Sequence, residues 1–260
     1  MANKDSVKGT IQVALVLCIV CSVVVSTAAV LLRPAQQANI ALDMKRNVLM
    51  AGGLIGDTGA GKAEVEKAFE SVTVRYVDLD TGKFTDEKPA GGSGRAAAKI
   101  PAASEKLPPE EDIAKIIRRE NIKEVYLVEK NGELQKVILP VRGYGLWGTL
   151  YGFVALESDL NTVAGLGFYE QKETPGLGGE VDNPNWKALW LGKKIYGPEG
   201  NVAIDVIKGA VNPASAKAEY QVDGLSGATL TSNGVDNLLH FWLGNEGFGP
   251  FLKNLKAGEA

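Results

Sequence analysis

The segment Asp223-Gly224-Leu225-Ser226-Gly227-Ala228-Thr229-Leu230-Thr231-Ser232-Asn233-Gly234 gathers small residues and hydroxyls into one short stretch. Small side chains let a backbone approach a bulky ligand closely. Val235, Leu238, Leu239 and Trp242 follow at the i, i+3, i+4, i+7 spacing of a packed helix. Thr231, Ser232 or Asn233 is expected to serve as its N-cap. The free N–H groups and the positive end of the helix dipole then point back at Thr229, a suitable place for a phosphate. A turn that merely caps a helix has the same pattern, so these residues alone leave both readings open.

A second stretch, Glu173-Thr174-Pro175-Gly176-Leu177-Gly178-Gly179-Glu180, combines one proline with three glycines in a rigid turn. Its N–H groups can face a flat ring, Glu173 and Thr174 can hydrogen-bond it, and Leu177 can pack on its face. The competing reading is an inter-strand turn before a helix at 185–191.

Asp223-x-x-Ser226-Gly227-Ala228-Thr229 resembles the flavinylation motif of the FMN-binding-domain family. The resemblance implies FMN esterified through its phosphate to Thr229. Asp223, Ser226, Gly227 and Ala228 would be the sequence read by a flavin transferase that uses FAD and Mg2+. Thr231 is the competing hydroxyl, but it lies outside the motif frame. The 173–180 stretch resembles the loop that lines the flavin in the same family, so Glu173, Thr174, Gly176, Leu177 and Gly178 join the expected cofactor site. Gly145-Leu146-Trp147, Glu180-Val181-x-Asn183-Pro184-x-Trp186 and Phe248-Gly249-Pro250-Phe251 extend the likeness along the chain. Together they resemble the C-subunit family of Na+-translocating NADH:quinone reductases, with the G subunit of Rnf complexes as the next alternative. The implied role is an electron relay between other subunits of a membrane complex. NADH and ubiquinone would be handled elsewhere in that complex, whose electron flow is coupled to Na+ export. A third reading, an anchored binding domain without flavin, abandons redox chemistry altogether.

Two further patterns fail on their context. Gly56-Asp57-Thr58-Gly59-Ala60-Gly61-Lys62 fits the phosphate loop G-x-x-x-x-G-K, but Ala63 stands where a Ser or Thr should hold Mg2+. It reads as a turn before a short helix at 62–70. Gly143-Tyr144-Gly145-Leu146-Trp147-Gly148 fits G-x-G-x-x-G, yet strand-like residues follow it where a dinucleotide site needs a helix. His240 is the single histidine and falls at the edge of the packed stripe, a structural position. Trp186, Trp190 and Trp242 read as core.

The elements that must position these residues begin with Ile11 to Leu32, a charge-free run long enough, at about 1.5 Å per residue, to cross a bilayer. A cleaved signal peptide is the rival, but its apolar region is usually about 7–15 residues. Lys4 and Lys8 precede the run and Arg33 follows it. The expected layout is a cytoplasmic tail at 1–10, a single inner-membrane span at 11–32 and a periplasmic domain at 33–260. Cys18 and Cys21, the only cysteines, lie inside the span and read as small apolar residues rather than metal ligands. Disulfides and C-x-x-C-H haem attachment are thereby excluded from the domain. A net charge of -3 leaves no basic stripe for nucleic acid.

Ile40, Met44 and Val48 continue a helix up to Gly52-Gly53. Alternation predicts strands at 71–79, 123–129, 134–141, 149–157, 161–170 and 202–208, with Asn131-Gly132 as a hairpin turn. Residues 83–104 read as a mobile loop. Pro108 to Asp112 is expected to open a helix that ends near Lys115, Arg118 and Arg119. The predicted fold class is α+β, a mainly antiparallel sheet with flanking helices.

Overall fold

The computed structural model describes residues 6–56 and 59–260. Met1–Lys4 of the expected tail, with Asp5, and Asp57-Thr58 of the Gly-rich turn lie outside the described residues. The chain divides into two units with the boundary between Asp43 and Met44.

Helix α1 runs over Val7–Ala51, with Pro34 inside it. The Arg33-Pro34 pair therefore ends the apolar run and not the helix. The helix is long and apolar enough to cross a membrane, and the side chains of the apolar run are exposed. In the second unit, the last turns of α1 bury Val48 and Leu49 fully. The Gly52 carbonyl that follows accepts from Lys136 Nζ at 2.9 Å, which satisfies one of the terminal carbonyls left without a helical partner.

Helix α2 (Lys62–Phe69) leads into a six-stranded antiparallel sheet. Its strands are β1 (Val72–Asp78), β2 (Lys83–Thr85), β5 (Ile122–Lys130), β6 (Glu133–Tyr144), β7 (Thr149–Glu157) and β8 (Val163–Glu170), in the order β2-β1-β5-β6-β7-β8. Asn131 and Gly132 both have positive φ, 55° and 81°, as the tight β5–β6 hairpin requires. Between β2 and β5 lie helix α3 (Gly94–Ala97) and a small antiparallel pair, β3 (Ser104–Lys106) with β4 (Arg118–Glu120). Residues 83–104 thus hold short elements where composition predicted an unpatterned loop.

The helix expected from Pro108 is absent. Asp112 turns its carboxylate back onto Ile116 N–H and Ile117 N–H, both at 2.7 Å, and Lys115 and Ile117 take positive φ. A local side-chain bond has offered the backbone an alternative to the helix. Arg118 and Arg119 consequently sit on a strand. The 202–208 prediction is corrected in the same way: only Asp205–Ile207 forms a strand, β9. It pairs in parallel with β10 (Gln221–Asp223), outside the main sheet. Helix α4 (Pro184–Ala188) precedes that pair, and α5 (Thr229–Leu243) and α6 (Gly249–Ala257) complete the chain. Val235, Leu238, Leu239 and Trp242 of α5 are fully buried against one sheet face, as their spacing predicts.

Candidate functional site

Helix α5 begins at Thr229 itself, with Ala228 at the N-cap and no side-chain cap. The sequence expectation of a cap from Thr231, Ser232 or Asn233 is corrected, because Thr231 and Ser232 are drawn inward to other partners. Ser232 Oγ accepts from Leu225 N–H at 2.9 Å and donates to the Ala228 carbonyl at 3.2 Å, which ties the turn to the helix. The N–H groups of the first turn are consequently left to water or a ligand. Ser226, Gly227 and Thr229 are exposed, whereas Ala228 is buried. Thr231 is fully buried and its hydroxyl donates to Glu173 Oε2 at 2.6 Å. Of the two threonines, Thr229 is exposed, and Thr231 has committed its hydroxyl to Glu173.

Gly227 has φ +71°, a conformation that L side chains rarely adopt. A Cβ there would also stand 3.1 Å from Leu177 Cδ2. The two motif segments are therefore in contact. Asp223 shapes the turn from behind: its Oδ1 accepts from Val211 N–H at 2.8 Å and its carbonyl accepts from Trp186 Nε1 at 2.8 Å.

The 173–180 loop closes on the Thr174 carbonyl, which accepts from Leu177 N–H at 3.1 Å and Gly179 N–H at 2.9 Å. Thr174, Gly176 and Leu177 are exposed, while Gly178 is buried against Thr231. The side chain of Glu173 is buried, and Oε1 accepts from Leu146 N–H and Trp147 N–H, both at 3.0 Å. It thus joins the loop, the 144–148 turn and α5. The G-x-G-x-x-G pattern is a turn between β6 and β7, as its context predicts. Trp147 in that turn is 65% exposed, Leu177 44% and Leu230 59%.

The model of the FMN-binding domain matches residues 145–244. That stretch begins at the Trp147 turn and contains the 173–180 loop, the 223–229 turn and α5. Over its full length the chain is 59% identical to the C subunit of the Na+-translocating NADH-quinone reductase of Pseudomonas aeruginosa, covering 100% of both proteins. The C subunit of the Vibrio alginolyticus enzyme is 49% identical, over 99% of this chain and 98% of that one. The chain belongs to the C-subunit family of Na+-translocating NADH-quinone reductases. The crystal structure of NqrC from Shewanella oneidensis superposes with a TM-score of 0.73 at 40% identity, covering 82% of this chain and 96% of that one. The C subunit from Parabacteroides distasonis gives 0.63 at 28% identity, over 85% and 96%. The mainly antiparallel sheet with flanking helices is therefore the fold of this family.

Two clefts lie away from Thr229. One of about 310 Å³ is lined by the end of α1, β8 and α4, and one of about 680 Å³ by the Tyr196–Val202 segment and α6. His240 keeps its structural position, with Nε2 2.7 Å from the Ile204 carbonyl. Sequence reasoning did not find a buried ionic cluster behind α5. Glu120 lies between Arg142, at 2.5 Å, and Lys123. Lys123 Nζ sits 3.7 Å from the Trp242 ring centroid. Burial alone would push the Glu120 carboxyl up, but the Lys123 and Arg142 charges outweigh it and hold it below the usual carboxylate range. No periodicity signals such a cluster, because its members come from separate strands. Cys18 and Cys21 are exposed free thiols on α1.

Proposed function

We propose that this chain carries FMN esterified through its phosphate to Thr229 and works as an electron-carrier subunit of a membrane NADH:quinone reductase. The observation that supports this most is the exposed Thr229 at the uncapped start of α5, close to a buried Thr231. Attachment forms a bond from Thr229 Oγ to the FMN phosphorus of FAD, releases AMP and removes the hydroxyl proton. The first-turn N–H groups and the helix dipole then hold the phosphate charge. Gly227 keeps the turn low, and Leu177 and Trp147 offer apolar surface for a ring. Thr174 remains exposed and available to it, whereas Glu173 and Asp223 act from inside the scaffold. The flavin, once attached, supplies one-electron chemistry, while the protein supplies position and electrostatics. A covalent link prevents loss of the cofactor outside the cytoplasm.

The names of the relatives favour a quinone reductase over an Rnf-type complex. Lys4 and Lys8 before the apolar run, against Arg33 alone close after it, support a cytoplasmic N-terminus and a periplasmic flavin, away from NADH. Its partners are then the other subunits of the complex and, during maturation, the flavin transferase. Coupling to Na+ export belongs to the complex as a whole. The test is a fluorescent band that survives denaturing electrophoresis of protein made with the transferase. Thr229→Val should abolish that band, and a Thr229→Val chain that still fluoresces would remove the attachment assignment.

A further inference from the structure

We infer that Glu173 is a positioning residue of the flavin site, which ties the turn bearing Trp147 to the first turn of the helix bearing Thr229. The inference rests on the FMN reading above and concerns a residue that reading leaves without a task. One buried carboxylate receives three donors from two other segments: Leu146 N–H and Trp147 N–H on Oε1, and Thr231 Oγ1 on Oε2. Its own N–H donates to Gln171 Oε1 at 2.6 Å, which fixes the side chain's origin. Hydrogen bonds to an ionised acceptor are about twice as strong as neutral ones, so the junction is stiff.

The surrounding backbone is cut to fit this carboxylate. A Cβ at Gly145 would lie 2.6 Å from Glu173 Oε1, and one at Gly178 would lie 2.8 Å from Oε2. Two glycines from different motifs therefore leave room for the same two oxygens. Gly145 of the G-x-G-x-x-G pattern thus owes its type to close approach by Glu173 and not to a pyrophosphate. Three segments meet at the clamp: the 144–148 turn, the 173–180 loop and α5. Each carries an exposed residue of the proposed flavin site: Trp147, Leu177 and Thr229. Shifting any of them moves Trp147 relative to Thr229.

The test uses the full-length chain in two forms, the flavin-free Thr229→Val variant and the native flavin-loaded chain. In the flavin-free form, Glu173→Ala is expected to speed amide hydrogen exchange at Leu146 and Trp147 by about 10- to 100-fold, since a charged acceptor is withdrawn. Glu173→Gln should stay within a few-fold. Its amide oxygen still accepts from both N–H groups, and its NH2 can donate to Thr231 Oγ1. In the loaded form, Glu173→Ala should alter the visible circular dichroism of the flavin, and Glu173→Gln should restore it. Should Glu173→Ala not fold, Glu173→Met keeps a side chain of similar length while removing both acceptor oxygens, and the same two readouts apply. Unchanged exchange at Leu146 and Trp147 overturns the clamp, whatever happens to the flavin. Faster exchange with an unmoved flavin spectrum overturns the positioning role. A native chain that never acquires flavin overturns the FMN reading instead, and leaves the exchange result to decide the clamp on its own.

Discussion

The two ends of helix α5 differ in almost every physical respect. At its start, Thr229 and Leu230 are exposed, no side chain caps the backbone, and the preceding residues are small. At its far end, Trp242 is fully buried and donates from Nε1 to the Arg142 carbonyl at 2.7 Å. Glu120, Lys123 and Arg142 form a charge cluster behind it. The exposed residues at the start leave their side chains to solvent, while Trp242 and the charge cluster at the far end are buried. Substitution at Thr229 is therefore expected to leave the domain folded, and weakening the Glu120 cluster to leave the Thr229 turn in place.

The sharpest way to break this contrast is to exchange the two effects. Thr229→Val should lose covalent flavin entirely and keep the native urea midpoint. Glu120→Ala should do the reverse. It strands two buried cations and is expected to cost about 3–5 kcal/mol in urea unfolding, while whatever remains folded still accepts flavin. A flavin-negative Glu120→Ala chain that is fully folded would show that the two ends are coupled.

Acid provides a milder probe. Because the Glu120 carboxyl is held below its ordinary value of 4.5, its charge stabilises the fold above that pH. The contribution is lost as pH falls through the folded value. Stability followed by circular dichroism should accordingly decline on acidification below about 4.5, and Glu120→Gln should flatten that part of the profile. The smallest effects belong to the exposed end. Ser226→Ala and Leu230→Ser should each change unfolding free energy by no more than about 0.5 kcal/mol, measured by urea titration. A larger loss would mean that the attachment turn bears on the core after all.

Local patterning made the sheet and α5 legible from the sequence. The β5–β6 hairpin follows from Asn131-Gly132, β7 matches its alternating run, and the buried stripe of α5 matches its spacing. The attachment motif was legible through its likeness to a family, with small residues supplying the physical reason. What escaped sequence reasoning depends on partners distant in the chain or on a competing local bond. Asp112 captures two backbone N–H groups and prevents the helix its neighbours favour. The 205–207 strand pairs with residues 221–223 in parallel, a pairing that its own pattern cannot announce. Thr231 looked like a cap because of its type, yet Glu173, 58 residues away in sequence, takes its hydroxyl. The hydrogen bonds that Glu173 accepts from Leu146 N–H and Trp147 N–H likewise come from a turn distant in sequence.

The most direct measurement is the mass of the peptide spanning Thr229, taken from full-length protein made together with the flavin transferase. The prediction is a peptide heavier by one FMN less one water, with fragmentation placing the addition on Thr229 and Thr231 unmodified. A flavin-bearing protein in which Thr229 is unmodified, or in which the addition sits on Thr231, would contradict it.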